Sequence, residues 1–135
     1  LQCLYVVLLP AKKKLGKNIN SGLIDASYYR DDFDISGVNV KEKTTSIDFD
    51  INGKKVILID DVFYTGRTIR AAINELFDFG RPKKISLYVL IDRQKNELPI
   101  KPDFSAHESI DIDNTYIDLI KNNKELKFEM RSLSE

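Results

Sequence analysis

The run at 56–68 constrains the fold of this chain more than any other. It reads Val-Ile-Leu-Ile-Asp-Asp-Val-Phe-Tyr-Thr-Gly-Arg-Thr. Its opening, Val56-Ile57-Leu58-Ile59, is an unbroken β-branched and leucine segment. Such a segment suits a strand buried on both faces, as in a parallel sheet. The strand is expected to stop at two carboxylates, Asp60 and Asp61. Small and hydroxylic residues follow, Thr65, Gly66 and Thr68, with Arg67 among them. Then Ile69, Ala72, Ile73 and Leu76 recur at i, i+3, i+4 and i+7, the spacing of one helix face. The acid pair and the small-residue loop therefore fall where a strand hands over to a helix.

That junction has its own chemistry. The first N–H groups of a helix lack intrahelical partners and carry partial positive charge, so they receive phosphate. Gly66 lets the backbone come close to a ligand, and the hydroxyls of Thr65 and Thr68 can donate hydrogen bonds. Asp60 and Asp61 would repel the same phosphate. They can instead accept hydrogen bonds from sugar hydroxyls or hold a hydrated Mg²⁺. A sugar phosphate with free vicinal hydroxyls needs both halves. Taken on these residues alone, an acidic turn with ordinary capping threonines accounts for the pattern equally well.

At 135 residues the chain has the size of one domain, taken as 1–135. An apolar fraction of 42% is enough for a packed core. Net charge is zero, so no global field draws the chain to nucleic acid or to a membrane surface. The single Cys3 excludes an internal disulfide framework and fits a reducing cytoplasm, the expected location. One histidine, His107, argues against a histidine-rich metal site, and a solvated loop is its expected place. The apolar start at 1–9 is far shorter than the roughly 20 residues of a membrane helix and lacks the charged opening of a signal peptide. The first residue is not Met, which suggests a processed or partial product.

Leu4, Val7, Leu8, Ala11 and Leu15 would line one helix face, with Lys12, Lys13 and Lys14 in its last turns. A helix is expected over 1–17, although residues 4–9 read equally as a buried strand stopped by Pro10. After a loop at 16–22, residues 23–29 alternate: Ile24, Ala26 and Tyr28 on one face, Asp25 and Ser27 on a wetter one. Residues 30–43 are polar and unperiodic, the composition of a functional lid or of a solvated excursion. Residues 46–51 alternate with Ile47, Phe49 and Ile51 on one face, and the Asn52-Gly53 turn joins them to the strand at 54–59. Phe79-Gly80-Arg81-Pro82 is expected to end the helix with Gly80 as a left-handed cap. Residues 85–91 form a second unbroken apolar strand, giving a strand–helix–strand unit of right-handed type. Asp92 and Arg93 would then share the carboxyl edge with Asp60 and Asp61, where open α/β sheets bind ligands. Beyond Pro99 and Pro102, Ile110 and Ile112 suggest a short strand, Tyr116, Ile117 and Ile120 a short helix, and Leu126 and Phe128 a final edge strand.

The segment at 56–68 resembles the phosphoribosyl-diphosphate signature of the type I phosphoribosyltransferases. Asp60-Asp61-Val62-Phe63-Tyr64-Thr65-Gly66-Arg67-Thr68 looks like the form found in the pyrimidine operon attenuator / uracil phosphoribosyltransferase family. Two flanking blocks match as well: Tyr28-Tyr29-Arg30-Asp31-Asp32, and Leu90-Ile91-Asp92-Arg93 followed by Glu97-Leu98-Pro99-Ile100. The resemblance covers about residues 21–104.

The resemblance implies an α/β fold of type I phosphoribosyltransferase kind: a Rossmann-like, mostly parallel sheet with flanking helices and a flexible hood loop. It implies transfer of ribose 5-phosphate from phosphoribosyl diphosphate to uracil, giving UMP and pyrophosphate, with Mg²⁺. Asp60 and Asp61 would orient the ribose hydroxyls and hold the metal through water or those hydroxyls. Val62, Tyr64, Thr65, Gly66, Arg67 and Thr68 would clamp the 5-phosphate. Arg30, Asp31 and Asp32 would lie in the hood and engage the diphosphate, with Arg30 joining Asp60 and Asp61 in catalysis. Asp92 and Arg93 would border the base. A homo-oligomer is expected, since the family oligomerises and Tyr5, Phe33, Tyr88 and Phe104 exceed what a small core needs.

A rival class is a nucleotide-sensing regulator that binds UMP or UTP together with an mRNA leader. RNA affinity needs clustered positive charge, and a net charge of zero offers little. A sugar-phosphate-binding scaffold is a third reading. The chain also departs from the family. Gln94-Lys95-Asn96 stands where the family has a Gly-His-Arg-like stretch, and no pyrophosphate-binding loop is legible before Leu23. The small-residue stretch expected after Pro102-Asp103-Phe104 is missing too. The N-terminal part is thus expected to be shortened or divergent, which puts diphosphate binding and turnover in question.

Overall fold

A computed structural model of the chain describes residues 3–8, 19–26, 45–108, 115–122 and 125–132. In chain order the elements are β1 (Cys3–Leu8), β2 (Ser21–Asp25), β3 (Lys55–Phe63), α1 (Arg67–Phe77), β4 (Lys84–Asp92), β5 (Phe104–Glu108), β6 (Thr115–Asn122) and β7 (Glu125–Ser132). The first five strands form one sheet in the order β2-β1-β3-β4-β5, and β6 and β7 pair with each other.

The apolar strand at 56–59 lies at the centre of the sheet, as its composition demands, with residues 85–91 beside it in parallel register from Lys55↔Lys84 to Phe63↔Asp92. β5 continues the parallel half against β4. On the other side β1 runs antiparallel to β3, and β2 antiparallel to β1. The sheet is therefore mixed rather than mostly parallel, and α1 is the helix among the described residues.

Successive strand residues point to opposite faces. On one face Leu4, Val6, Ile24, Val56, Leu58, Leu87 and Val89 are buried together with Ile69, Ala71, Ala72 and Leu76 of α1. Ile69, Ala72 and Leu76 carry the helical spacing read from the sequence, and Ile73 is half-buried beside them. The opposite face carries a row in continuous register across all five strands: Leu23↔Tyr5, Tyr5↔Ile59, Ile59↔Tyr88 and Tyr88↔Phe104. Tyr5, Tyr88 and Phe104 of that row are exposed, and the Tyr88 and Phe104 rings lie 5.6 Å apart. Phe33 lies outside the described residues.

Several expectations are corrected. Residues Cys3–Leu8 form a strand, not the start of a helix, because the place between β2 and β3 buries Leu4 and Val6 completely; the rest of the expected helix lies outside the described residues. Short apolar runs fit both periods, and the pairing available decides between them. β2 begins earlier than the alternation at 23–29 suggests and reaches Asp25, with Ile24 and Ala26 buried as expected; Ser27, Tyr28 and Tyr29 lie outside the described residues. Residues 46–51 turn Ile47 and Ile51 inward, with Phe49 half-buried, yet they form no ladder; Ser46 bridges Leu23 alone. Both edges of β3 are already taken by β1 and β4, so the Asn52-Gly53 turn is real, with Gly53 at φ 67°, but makes no hairpin.

Helix α1 stops at Phe77, where the N–H of Asp78 donates back to the Glu75 carbonyl at 3.1 Å and the N–H of Phe79 to the Leu76 carbonyl at 3.0 Å. Gly80 is not its left-handed cap. At φ 153° it lets the 79–81 loop press on the 51–53 turn, where an added Cβ would sit 2.9 Å from both Asn52 Oδ1 and Ile51 Cγ1. His107 is exposed as expected, but on β5 rather than in a loop. Tyr116, Ile117 and Ile120 belong to β6, not to a helix; their β-branched neighbourhood has a complementary strand to pair with at 125–132. Leu126 and Phe128 lie on a final strand, β7, as expected. Ile110 and Ile112 lie outside the described residues.

Replacing Leu58, which is fully buried at the sheet centre, by Ala removes packing on both sides of the sheet–helix interface. Chemical denaturation should register a loss of about 2–5 kcal/mol. Tyr88→Ala on the exposed row should cost clearly less in the same experiment.

Candidate active site

The strand that carries the acid pair runs further than its sequence suggests. β3 continues through Asp60 and Asp61 to Phe63. Pairing with β1 ends at Tyr5↔Ile59, whereas pairing with β4 goes on to Phe63↔Asp92. Beyond Ile59 the ladder between β3 and β1 is therefore no longer formed, although β1 itself runs on to Cys3. There the N–H of Asp61 donates to Asp60 Oδ1 at 2.8 Å, and the N–H of Val62 to Asp61 Oδ1 at 2.7 Å. The two carboxylates satisfy backbone donors at the point where the ladder to the neighbouring strand ends.

Asp60 shares the face of Leu58 and is only 9% exposed. Burial pushes its carboxyl up to about 8; the adjacent Asp61 carboxylate adds to the rise, and the bond from the Asp61 N–H opposes it. Asp61 is half-buried. One acid of the pair is thus neutral over much of the physiological range, which relieves the repulsion between them.

The loop that follows is shaped by Gly66. It stands at the N-cap of α1 with φ 95° and ψ −4°, a left-handed conformation that a side chain resists. Gly66 brings no side-chain cap, and the first turn of α1 holds no acidic residue, so the helix N-terminus meets no negative charge of its own. Thr65 Oγ1 accepts the N–H of Arg67 at a long 3.3 Å, and the Gly66 carbonyl accepts the N–H of Arg70 at 2.9 Å. Val62, Thr65 and Thr68 are half-buried, and Tyr64 and Arg67 are exposed.

The segment after β4 lies against this loop. The N–H of Arg93 donates to the Phe63 carbonyl at 3.0 Å, and the Arg93 guanidinium lies 4.1 Å from the centroid of the Tyr64 ring. Arg93 is 5% exposed, so this cation–π contact is desolvated and correspondingly strong. Asp92 Oδ1 accepts the N–H of Gln94 at 2.8 Å, closing a turn in which Gln94 takes φ 56°. Gln94 Nε2 in turn donates to Glu108 Oε2 on β5 at 2.8 Å. The expected edge is therefore present: Asp60, Asp61, Val62, Tyr64, Thr65, Gly66, Arg67, Thr68, Asp92 and Arg93 all fall at the carboxyl ends of β3 and β4, in the loops there or in the first turn of α1. Arg30, Asp31 and Asp32 lie outside the described residues.

Two features escaped the sequence reading. Glu97 pairs with Arg67 at 2.8 Å, and Gln94 stands in a left-handed turn. The Asp-x-Gln spacing at 92–94 is the one local signal that pointed to such a turn. No signal pairs residues 67 and 97 without knowledge of the register between β3 and β4.

The donor set has a consequence for metal. Among the described residues no group of three or more His, Cys, Asp or Glu is arranged to hold an ion. The pair Asp60 and Asp61 fits the other common mode, in which one or two carboxylates and the oxygens of a bound phosphate share a hydrated Mg²⁺.

Residues 13–120 match the phosphoribosyl transferase domain. The chain belongs to that family. Phosphoribosyl transferase domains fold as α/β proteins, and this sheet and helix are the part of that fold the described residues carry. The chain is 52% identical over 89 residues to the bifunctional protein PyrR of Caldicellulosiruptor bescii, a match spanning 66% of this chain and 49% of that protein. It is 47% identical over 91 residues to the bifunctional protein PyrR of Pseudomonas paraeruginosa, over 67% of this chain and 54% of the relative. The chain thus spans about half the length of these relatives. Among solved structures it is similar to a hypoxanthine-guanine phosphoribosyltransferase from Bacillus anthracis, with a TM-score of 0.44 and 22% identity over 50% of this chain and 41% of that one. A hypoxanthine phosphoribosyltransferase of Trypanosoma cruzi gives 0.45 and 21%, over 56% and 41%. Among the described residues no helix of this phosphoribosyl transferase domain is long and apolar enough to cross a membrane.

The raised Asp60 pKa sets a pH dependence. Between about 4 and about 8 the folded chain holds a proton that the unfolded chain has released, so stability falls as pH rises through that window. The melting temperature of the parent should drop between pH 5 and pH 8.5. In Asp60→Asn, which keeps the Oδ1 acceptor and has no charge to bury, the drop should be clearly smaller.

Proposed function

We propose that this chain is a uracil phosphoribosyltransferase-like protein: it binds phosphoribosyl diphosphate and uracil, and forms UMP and pyrophosphate. The observation that carries the reading is the left-handed Gly66 at the N-cap of α1, three residues beyond the end of a strand whose last residues include the buried Asp60 and the half-buried Asp61. A phosphate monoester received at that helix N-terminus has its ribose directed back along β3, where Asp60 and Asp61 accept from the vicinal hydroxyls. The loop from Val62 to Thr68 supplies N–H and hydroxyl donors to the phosphate, and Arg67 adds positive charge. Asp92 and Arg93 border the base, with Arg93 acting through Tyr64. Arg30, Asp31 and Asp32 are assigned to the diphosphate and to the exclusion of water.

The chemistry asks for little covalent participation by the protein. As the diphosphate departs from the anomeric carbon, positive charge grows on the ribose, and fixed carboxylates near its hydroxyls stabilise it. Holding uracil and sugar in line supplies the rest. Asp60 and Asp61 would hold Mg²⁺, which would supply positive charge beside the departing diphosphate. The same reading includes a cytoplasmic location and self-association; a monomer by sedimentation at high micromolar concentration would contradict the latter.

The second reading, a regulator binding UMP or UTP and an RNA leader, is favoured by the name of the relatives, bifunctional protein PyrR. It is disfavoured by a net charge of zero.

Titration calorimetry separates the two. Binding of phosphoribosyl diphosphate with Mg²⁺, followed by release of pyrophosphate on adding uracil, is expected of the enzyme; binding of UMP alone favours the sensor. The double variant Asp60→Asn/Asp61→Asn should melt no lower than the parent, because both replacements keep the oxygen that accepts the backbone N–H. It should lose the stabilisation that UMP gives the parent by mass action. Thr65→Val should weaken both phosphorylated ligands and leave uracil binding nearly unchanged. A double variant that unfolds easily yet is still stabilised by ligand would make the carboxylates structural.

A further inference from the structure

The loops after β3 and β4 are tied together by contacts that lie outside the acid pair. The amides of Glu97 and Leu98 both donate to the Thr65 carbonyl, at 2.8 and 3.3 Å. The Glu97 carboxylate holds the Arg67 guanidinium at 2.8 Å. Thr65 and Arg67 flank Gly66, the residue in the left-handed conformation. Inside the loop itself the bond from the Arg67 N–H to Thr65 Oγ1 is long, at 3.3 Å. The conformation around Gly66 is thus held from outside, and Glu97 grips both of its neighbours, one through the backbone and one through the side chain.

We infer that Glu97 is a positioning residue for the phosphate loop: it holds Thr65 and Arg67 so that the N–H groups around Gly66 converge on a phosphate monoester, and it does not touch that ligand. The inference rests on residues 62–68 being the phosphate loop. An exposed ion pair of this kind, with side chains 44% and 57% exposed, contributes little to folding stability. Its effect is on the shape of the loop.

Two effects of Glu97 on an incoming phosphate have opposite signs. Its negative charge repels the anion and occupies Arg67, so its removal would tighten binding. Its hold on the loop preorganises the N–H donors, so its removal would weaken binding. The carboxylate is more than half exposed, where solvent and salt screen its charge. Backbone ordering is not screened, and its cost falls on the binding step whenever the loop is left free. Weakening is therefore the expected net result.

The test uses the full chain and two variants, Glu97→Ala and Glu97→Gln, titrated with UMP and with uridine and melted without ligand. The UMP dissociation constant should rise about tenfold in Glu97→Ala and roughly threefold in Glu97→Gln, which keeps an acceptor for Arg67. Uridine binding and the ligand-free melting temperature should not move, a split that a merely structural role would not produce. UMP binding that is equal or tighter in both variants, in a parent that prefers UMP to uridine, would overturn the inference and leave the phosphate-loop reading standing. A lowered ligand-free melting temperature with parallel loss of both ligands would also overturn it. A parent that binds UMP no better than uridine would overturn the phosphate-loop reading and this inference with it.

Discussion

The parallel ladder between β3 and β4 is the constraint on which the rest depends. Its register runs from Lys55↔Lys84 to Phe63↔Asp92, so both strands start and end together. Parallel neighbours cannot be joined by a tight turn; the chain must cross over, and α1 is that crossover. The crossover begins where β3 ends, at the same edge where β4 releases residues 93–98. One pairing therefore brings a helix N-terminus, a left-handed loop, the acid pair and the second loop to a single sheet edge. A slip of one residue would reverse every side chain on β3. Leu58 and Asp60 would turn away from α1 together, and the apolar face against the helix would be lost.

Much of this edge was legible because the residues that make it are local. The run Val56-Ile57-Leu58-Ile59 is buried whichever neighbour it finds, and the spacing of Ile69, Ala72 and Leu76 fixes the inward face of α1 without reference to the sheet. Gly66 was marked by its position between two hydroxylic residues, and it takes the positive φ that only its lack of a side chain makes easy. What failed was decided at a distance. Whether residues Cys3–Leu8 are helix or strand depends on β2 and β3 offering pairing on both sides. Whether residues 46–51 join a hairpin depends on β3 having no free edge. The misread element at Thr115–Asn122 is a strand because Glu125–Ser132 is there to pair with it. Alternation and periodicity predict which side chains go inward, and they did so at Ile47 and Ile51; they do not say which backbone is available.

The same division holds within the site. That Asp60 and Asp61 end up at a sheet edge follows from the apolar run before them. That they satisfy backbone N–H groups inside a continuing strand does not, because it depends on the ladder to β1 ending at Ile59. The role of Glu97 is of the latter kind: its partner Arg67 is thirty positions away and is reached only because β4 runs parallel to β3.

Among the described residues, three local choices at this edge run against local preference. A carboxylate is buried at the end of an apolar strand, where burial costs free energy and drives its pKa up. A residue other than glycine, Gln94, takes φ 56°. A helix starts from a left-handed N-cap with neither a side-chain bond nor an acidic first turn. Any one of them is an ordinary compromise. Their coincidence is not expected of a sequence selected for stability alone, because each could be relieved by a single substitution without disturbing the core. They share one explanation. On the proposed reading, a neutral Asp60 would accept from a sugar hydroxyl or give up its proton to a cation. A helix N-terminus without an acidic first turn would favour an anion there. The Gln94 turn sends residues 95–98 back over the loop at 64–66. On that reading, strain held at this edge would be relieved by a ligand that carries phosphate at one end and hydroxyls at the other.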